Sequence, residues 1–469
     1  MLRVFKQYYP IRNVFFIIGE GLVIFASVLI ASWIVIGYNS FFVDELLWLK
    51  ALLVALFCFM GLYYNDLYDM KVTDTFLELG IRLFQALGGA AILLAIIYFV
   101  FPRLIIGRGI FMVSTVFTIV FIVAWRIGYT VVLNKGLFNQ KIIIIGSGEL
   151  AKNIIEEIQD KKDCGYSIEV VITEENCNNS CLENNLNLQV NNTINQNNYR
   201  GLCEIGKTLE IDKVIMAIEE KRGYFPIDEL LGCRVSGIEI LEGVAFYEML
   251  TGKLIVEQIN PGWLIFSQGF QKSLGRRFLK RTSDIVLSSI MLVLFMPFCF
   301  LIILMIKLDS KGPSIFSQER IGQNRKPYNL HKFRSMVMDA ESTTGPVWAE
   351  DDDSRVTRVG EIIRKLRLDE LPQLWNVLRG DMSFVGPRPE RKYFIEQLEQ
   401  VIPYYRERFT VKPGITGWAQ VCYGYGASVE DAIEKLNYDL FYIKNMSILM
   451  DVMILLRTVK IVLFSKGAR

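Results

Sequence analysis

"KIIIIGSGELAKNIIEEI", residues 141 to 158, carries the pattern that divides this 469-residue chain into parts of different character. Its isoleucine run is typical of a buried strand, and Gly146 and Gly148 then lead into a segment with the apolar periodicity of a helix. A strand, a tight turn and a helix in that order are typical of the start of a βαβ unit. The stretch therefore predicts an α/β domain with a parallel sheet.

Three further strands are predicted downstream of this turn. Apolar runs occupy residues 167–173, 212–218 and 235–243, and with the first strand they predict a Rossmann-like α/β domain over residues 139–255. The Asn-rich stretch at 176–198 has the composition of a loose surface insertion. We therefore expect an accessory domain of nucleotide-binding fold in the middle of the chain.

Four apolar runs precede the α/β domain. They cover residues 14–37, 46–64, 83–101 and 110–133, and each is about long enough to cross a bilayer as a helix. Hydrophobic residues make up 52% of the chain and the mean hydropathy is +0.32, which is high for a soluble protein. We predict a four-helix transmembrane domain over residues 1–138, whose flanking basic residues favour both ends in the cytoplasm.

Composition also excludes several classes of protein. The net charge of +2 gives no bulk field that would attract nucleic acid. His331 is the single histidine, so we expect no histidine-based catalysis, and the eight cysteines contain no C-x-x-C pair that would indicate zinc. Glu20 and Arg126 lie inside apolar runs, where they either mark a pathway or pair and snorkel.

A fifth apolar run, residues 285–306, opens the last part of the chain and contains Pro297. Its length suits a crossing helix, but both flanks are basic and Pro297 removes a backbone donor. We therefore favour a re-entrant membrane helix over about residues 284–307, bent at Pro297. This topology keeps the rest of the region 256–469 in the cytoplasm, and the final apolar stretch at 448–464 is expected to lie at the membrane interface.

The motif-dense region contains the adjacent carboxylates Asp369 and Glu370 in "RLDELPQLWNVLRG". Asp369 is predicted to cap a helix that Gly380 ends, so that the helix N-terminus would attract phosphate and keep a carboxylate ionised. Carboxylates attack phosphorus as nucleophiles when cations neutralise the target, and both Mg²⁺ and arginine can do so. Arg364, Arg367 and Arg388 are nearby in sequence; the alternative is a helix cap with surface charges.

These motifs resemble those of the bacterial polyprenyl-phosphate hexose-1-phosphate transferases, the large monotopic phosphoglycosyl transferases. The resemblance covers residues 280–451 and rests on five segments in order. They are "KRTSDIVLSSIMLVLFMPFCFLIILMIKLDSKGPSIFSQERIG", "LHKFRSM", "DDDSRVTRVGEIIRKLRLDELPQLWNVLRGDMSFVGPRPE", "RFTVKPGITGWAQV" and "NYDLFYIKNMSILMD". Residues 221–259 also resemble a subgroup linked to exopolysaccharide export, and Met296 stands where the family often has a serine before the proline.

The resemblance implies a role for each matching position. Asp369 would be the nucleophile that attacks a UDP-sugar and releases UMP, and it would hold Mg²⁺. Glu370 would be its partner carboxylate, and Pro297 the bend of the re-entrant helix. Arg364 and Arg388 match phosphate-binding positions. Lys332 and Arg334 are either phosphate ligands or surface charges.

The resemblance also implies the setting of the reaction. A sugar-1-phosphate would pass through an aspartyl intermediate to polyprenyl (undecaprenyl) phosphate, as the first step of exopolysaccharide synthesis. The protein would be a multi-pass protein of the inner (cytoplasmic) membrane with a cytoplasmic, mainly helical catalytic domain, and a homodimer is a reasonable expectation.

Two alternative functions remain open on the sequence. Gly146-x-Gly148-x-x-Ala151, with Glu174 or Glu175 as the acidic ribose ligand, would suit a nicotinamide-dependent sugar-nucleotide enzyme. A non-catalytic membrane protein of polysaccharide assembly would also contain the apolar runs. Replacing Asp369 separates both alternatives from the transferase.

Overall fold

The computed structural model describes the chain outside a set of short segments. These are residues 1, 5–6, 10, 38–45, 69–75, 135–138, 162–163, 174–191, 196–200, 219–225, 260, 268, 271–272, 339–354, 425, 427 and 464–469. The chain divides into two compact units: the first comprises Met1–Val4 and Tyr8–Gly243, and the second comprises Phe5–Gln7 and Val244–Arg469. Each unit is described by itself below.

Four long helices follow two short strands at the start of the first unit. The strands are β1 (Leu2–Val4) and β2 (Gln7–Tyr9), and the helices are α1 (Ile11–Ile36), α2 (Leu47–Tyr64), α3 (Phe76–Val100) and α4 (Arg108–Asn134). Apolar side chains from all four helices, among them Ile24, Ala55, Leu94 and Ile122, share one buried cluster. All four helices are long and apolar enough to cross a membrane. The predicted apolar runs are thus helices, while their arrangement as a transmembrane bundle stays a prediction.

The two charged residues predicted inside apolar runs form a buried ion pair. Arg126 Nε lies 2.8 Å from Glu20 Oε1, and Glu20 is fully buried. Arg126 Nη1 also donates to the carbonyl of Leu67, 2.8 Å away. Of the two predicted alternatives, the structure therefore shows the ion pair. A charge in an apolar bundle is costly unless it has a partner.

A five-stranded parallel sheet forms the α/β part of the first unit. Its strands are β3 (Gln140–Ile145), β4 (Tyr166–Thr173), β5 (Asn192–Asn195), β6 (Lys213–Met216) and β7 (Glu239–Glu242), in the order β5-β4-β3-β6-β7. Helices α5 (Glu149–Asp160), α6 (Leu202–Thr208) and α7 (Ile227–Val235) connect them. This order is that of a doubly wound sheet, in agreement with the Rossmann-like domain that the Gly-rich turn predicted. Glu174, Glu175 and most of the Asn-rich stretch lie outside the described residues.

Gly146 has a packing reason to be glycine. Its φ is +138°, and a Cβ there would lie 2.3 Å from the carbonyl oxygen of Ala217, which follows the neighbouring strand β6. Close approach of two backbones therefore accounts for this glycine without any bound nucleotide.

The second unit begins earlier than the predicted domain boundary at residue 255. Leu254 and Val256, which follow α8 (Gly243–Thr251), are buried in the core of the second unit. Trp418 Nε1 donates to the carbonyl of Gly252 over 2.8 Å. Residues after Gly243 therefore belong to the second unit.

Helices predominate in the second unit. After α9 (Pro261–Phe266), α10 (Leu274–Asp309) leads into the antiparallel strands β8 (Ile315–Ile321) and β9 (Pro327–Phe333). The remaining elements are α11 (Arg358–Lys365), α12 (Gln373–Arg379), β10 (Ser383–Val385), α13 (Lys392–Val401), β11 (Gly414–Thr416), α14 (Trp418–Cys422), α15 (Val429–Asn445) and α16 (Ile448–Leu463). Strands β10 and β11 pair in parallel.

The apolar helix α10 is one helix of 36 residues that contains Pro297. It is long and apolar enough to cross a membrane, so the re-entrant topology stays a prediction. Beyond Pro297, Ile302 and Ile306 pack with Phe333 and Ile363. The C-terminal half of α10 therefore supports the elements that carry the predicted site.

The last helix, α16, has two different faces. Met450 and Ile454 are buried in the core of the second unit, whereas Leu449 and Leu456 are exposed. An exposed apolar face on a helix that is otherwise anchored in the core is what the predicted interfacial helix requires.

Candidate active site

The carboxylates Asp369 and Glu370 lie in a short 3₁₀ turn, Leu368–Glu370, between α11 and α12. Arg367 enters the turn with a left-handed φ of +57°. The helix α12 begins only at Gln373, after Pro372 in its N-cap position. The prediction that Asp369 caps this helix is therefore wrong: the left-handed Arg367 turns the chain so that the carboxylates precede the helix. Gly380 ends the helix as predicted, with a φ of +99°.

The two carboxylates are withdrawn from solvent and face cations. Asp369 is only 7% exposed. Lys332 Nζ lies 2.9 Å from Glu370 Oε1 and 3.6 Å from Asp369 Oδ2. Arg388 Nη2 lies 3.6 Å from Glu370 Oε1. Cations from two distant segments thus neutralise the adjacent carboxylates, which replaces the predicted role of the helix N-terminus.

Asn376 explains how strand β9 brings Lys332 to the turn. Its Oδ1 accepts from the backbone N–H of His331 over 3.1 Å, and its Nδ2 donates to the carbonyl of Asn329 over 2.8 Å. The Asn376 side chain is buried, at 1% exposed. Its amide both accepts from and donates to the backbone of β9, as the backbone of a neighbouring strand would. Sequence reasoning missed this residue, although a buried amide in the apolar pattern of a helix was a readable signal.

The pKa values of the two carboxyls move in opposite directions. Burial raises the pKa of Asp369, although Lys332 opposes this, and the negative Glu370 adds to the rise. Burial also raises the pKa of Glu370, but the charges of Lys332, Arg388 and Arg367 outweigh it and lower the pKa. Glu370 therefore stays ionised, and Asp369 is the more basic of the two carboxylates.

The other predicted cations lie elsewhere. Both terminal nitrogens of Arg334 bind the end of α10: Nη1 donates to the carbonyl of Lys311 over 2.9 Å, and Nη2 donates to that of Ser310 over 2.8 Å. Arg364 lies in the last turn of α11, and no ion pair or hydrogen bond joins its side chain to either carboxylate in the described part of the chain. Phosphate binding by Arg334 and Arg364 stays a prediction. Arg367 acts on both carboxyls instead.

The single histidine forms a local contact away from the carboxylates. His331 Nδ1 lies 2.9 Å from Ser317 Oγ across the β8–β9 pair, at an exposed position.

Two family models match separate parts of the chain. A model described as "Bacterial sugar transferase" matches residues 275–465, which contain the carboxylate turn and its cations. A model described as "CoA-binding domain" matches residues 63–222, which include most of the parallel sheet.

Curated relatives match over different lengths. A UDP-N-acetylgalactosamine-undecaprenyl-phosphate N-acetylgalactosaminephosphotransferase of Aeromonas hydrophila is 42% identical over 51% of this chain, and the match spans about half of that relative, 56%. An uncharacterized sugar transferase of Haemophilus influenzae is 31% identical over 78% of this chain and 79% of its own length. An undecaprenyl-phosphate galactose phosphotransferase of Salmonella typhimurium is 31% identical over 72% of this chain and 71% of its own length.

The similarity covers more than two thirds of this chain and of the last two relatives. It includes the region that carries the buried carboxylate turn. The sequence-based prediction of a phosphoglycosyl transferase is thus confirmed at the level of the family, and this chain belongs to the bacterial sugar transferases.

Proposed function

We propose that this protein transfers a sugar-1-phosphate from a UDP-sugar to polyprenyl phosphate through a covalent intermediate on Asp369. The observation that carries this proposal is the buried Asp369–Glu370 pair facing Lys332 and Arg388. The names of the relatives support the substrate class, since they act on undecaprenyl phosphate and on N-acetylgalactosamine, galactose or glucose derivatives.

In the first step, a carboxylate oxygen of Asp369 bonds to the phosphorus that carries the sugar. The bond from that phosphorus to the bridging oxygen breaks, and UMP leaves with the bridging oxygen. The step needs no proton, because a carboxylate attacks as it stands. Lys332 and Arg388 suit the task of neutralising the diphosphate, which would otherwise repel the incoming carboxylate.

In the second step, a phosphate oxygen of the lipid attacks the same phosphorus. The bond from Asp369 to phosphorus breaks, which restores the carboxylate and yields a polyprenyl-diphosphate sugar. Glu370 is poorly suited to take a proton, because its lowered pKa keeps it ionised. Its negative charge instead holds Lys332 in place at 2.9 Å.

The carboxylate pair also has a donor set that suits Mg²⁺. Within the described residues, no group of three or more histidine, cysteine, aspartate or glutamate side chains could hold a metal ion. Mg²⁺ commonly binds one or two carboxylates and completes its shell with substrate phosphates and water. We therefore propose that Asp369, aided by Glu370, holds a Mg²⁺ that arrives with the diphosphate. When bound, such an ion would neutralise phosphate charge.

We place the reaction on the inner face of the cytoplasmic membrane. Basic residues within α10 flank its apolar run 285–306 at Lys280, Arg281 and Lys307, which favours both ends of this run on the cytoplasmic side and a re-entrant path bent at Pro297. A UDP-sugar is available on that side, and the exposed apolar face of α16 suits contact with the same leaflet. A homodimer remains part of the proposal, although no contact of the described chain argues for it.

The function is tested by supplying membranes that contain the full chain with polyprenyl phosphate and a panel of UDP-sugars. We expect UMP release with at least one UDP-hexose or UDP-N-acetylhexosamine, together with a lipid-linked sugar. Release of UDP instead of UMP would contradict the proposal, because it would mean transfer of the sugar without its phosphate. Copurified nicotinamide cofactor with no UMP release would support the alternative of a nicotinamide-dependent sugar-nucleotide enzyme.

The raised pKa of Asp369 predicts the acid side of the pH profile. Attack requires the ionised carboxylate, so the rate should fall as pH drops through the pKa of Asp369. Burial raises this pKa, so the fall should occur at a higher pH than the value of about 3.9 for a free aspartate. Single-turnover UMP release between pH 4 and 8 would measure it. A rate that is unchanged down to about pH 4 would contradict the assignment.

A further inference from the structure

The turn that carries Arg388 is held in place at four successive carbonyl groups. The carbonyl of Pro387 accepts from the backbone N–H of Gly414 over 2.9 Å, and that of Glu390 accepts from the N–H of Ile321 over 3.3 Å. The two carbonyls between them are bound by arginine side chains. Every backbone acceptor from residue 387 to residue 390 is therefore occupied.

Arg408 contacts the backbone of Arg388, whose side chain faces Glu370. Its Nη2 donates to the carbonyl of Arg388 over 3.1 Å, and Arg320 Nη1 donates to the carbonyl of Pro389 over 3.3 Å. Both arginines come from other parts of the chain: Arg320 lies on β8, and Arg408 lies in the 3₁₀ segment Tyr405–Thr410. Distant side chains thus fix the backbone from which the Arg388 side chain extends.

Arg408 is itself held rigidly. Its side chain is only 8% exposed, and its Nη2 lies 3.0 Å from Asp439 Oδ2 on α15. Its other terminal nitrogen donates to Tyr405 Oη, and its guanidinium lies over the Tyr405 ring, 4.9 Å from the centroid. A buried ion pair contributes little net stability, because desolvation offsets most of the attraction. Its guanidinium, bonded at both terminal nitrogens, nevertheless fixes the position of the third partner, the Arg388 carbonyl.

The backbone segments around the turn are closely packed. A Cβ on Gly386 would lie 2.3 Å from the carbonyl oxygen of Lys412, and one on Gly414 would lie 2.1 Å from the nitrogen of Gly386. Proline on both sides of Arg388 restricts its backbone further. A fixed backbone is useful here because the Arg388 guanidinium must face Glu370 and also the diphosphate.

We infer that Arg408 is a positioning residue for sugar-phosphate transfer, which acts through the Arg388 carbonyl and touches neither the substrate nor the carboxylates of Asp369 and Glu370. The inference rests on the proposed function, because it assigns to Arg388 the binding of the diphosphate. A misplacement of about 1 Å at such a group can reduce a rate roughly a hundredfold. Loss of the Arg408 contact should therefore lower the rate although the carboxylates are intact.

A double-mutant cycle tests this inference on the full-length protein. Arg408→Lys keeps a positive charge near Asp439 but has a shorter side chain without the planar fork. We expect it to lower kcat/KM for UMP release by roughly tenfold or more, with a raised KM for the UDP-sugar and with cooperative thermal unfolding retained. In an Arg388→Ala background the same change should cost less than about twofold, since the group it positions is gone.

Variants at two neighbouring arginines, Arg406 and Arg320, provide the control and the second test. Arg406→Lys, two positions away on the same 3₁₀ segment and 72% exposed, should leave kcat/KM unchanged. If Arg408→Lys does not fold, Arg320→Lys at the neighbouring carbonyl should show the same dependence on Arg388. Equal losses in the wild-type and Arg388→Ala backgrounds would overturn the positioning role. Absence of UMP release from the wild type would instead overturn the proposed function.

Discussion

Asp369→Asn is expected to abolish UMP release from every UDP-sugar, with a loss of about 10⁴-fold or more. The amide that replaces the carboxylate has nearly the same shape but is a poor nucleophile toward phosphorus. The side chain is 7% exposed, and burial disfavours its charge, so removal of that charge should not unfold the turn. Single-turnover UMP release, measured together with thermal melting in detergent, checks both statements.

The matched control for this change is Asp160→Asn. Asp160 is an exposed aspartate at the end of α5 in the first unit, so its replacement should leave UMP release unaltered. Residual activity of Asp369→Asn above a few per cent of wild type, with normal melting, would argue that the lipid phosphate attacks the UDP-sugar directly. In that case the carboxylate turn would only bind substrate.

Lys332→Met is expected to have the second largest effect, a loss of about 10²- to 10³-fold in kcat/KM. Its ammonium contacts both carboxylates, at 2.9 Å from Glu370 Oε1 and 3.6 Å from Asp369 Oδ2. Its removal takes away a positive charge where two carboxylates and a diphosphate meet. Methionine keeps much of the length and volume of the side chain, so packing of strand β9 should persist.

The same substitution should also move the pH profile, and the direction follows from the charges. Lys332 lowers the pKa of both Asp369 and Glu370, so its removal raises both values. The rate of Lys332→Met should therefore fall at a higher pH than that of the wild type. Lys392→Met, at a 69% exposed lysine on α13, is the matched control and should change neither the rate nor the profile. A loss of rate without a shift of the acid side would show that Lys332 acts on substrate alone.

Long periodic patterns made the elements of the first unit predictable. The isoleucine run before Gly146 had to be a buried strand, and the four apolar runs could only be helices if they were to satisfy their backbone groups. The third helix begins at Phe76, before the predicted apolar run, and its first turns contain the charged residues Glu78 and Arg82, which pair over 3.1 Å. Hydropathy alone does not register such a pair.

The carboxylate pair could be found from the sequence, but its environment could not. Asp-Glu-Leu-Pro matches the residue preferences of a helix start, and the local rule gave a cap. In the fold, Arg367 takes a left-handed conformation and the cations of other segments decide the charge balance. Lys332 reaches the turn because Asn376 binds strand β9, a contact between residues far apart in the chain.

The basic residues show the same limit more clearly. Lys332 and Arg334 are two positions apart on or beside one strand, and the sequence alone gave no reason to separate them. In the structure, Lys332 meets the carboxylates, whereas Arg334 binds carbonyls at the end of α10. The carbonyl groups at the end of a helix need partners, and the sequence does not show which side chains reach them until the fold is formed. Arg408, which holds the Arg388 carbonyl, had no readable signal at all.

The central claim is a covalent bond between Asp369 and phosphorus, and mass spectrometry of the peptide that contains Asp369 tests it most directly. The purified protein is incubated with the preferred UDP-sugar without acceptor lipid, quenched and digested. We predict a mass gain equal to one sugar phosphate on the peptide that contains Asp369, which disappears when polyprenyl phosphate is added. Formation of the lipid-linked sugar while this peptide stays unmodified under rapid quench would contradict the account.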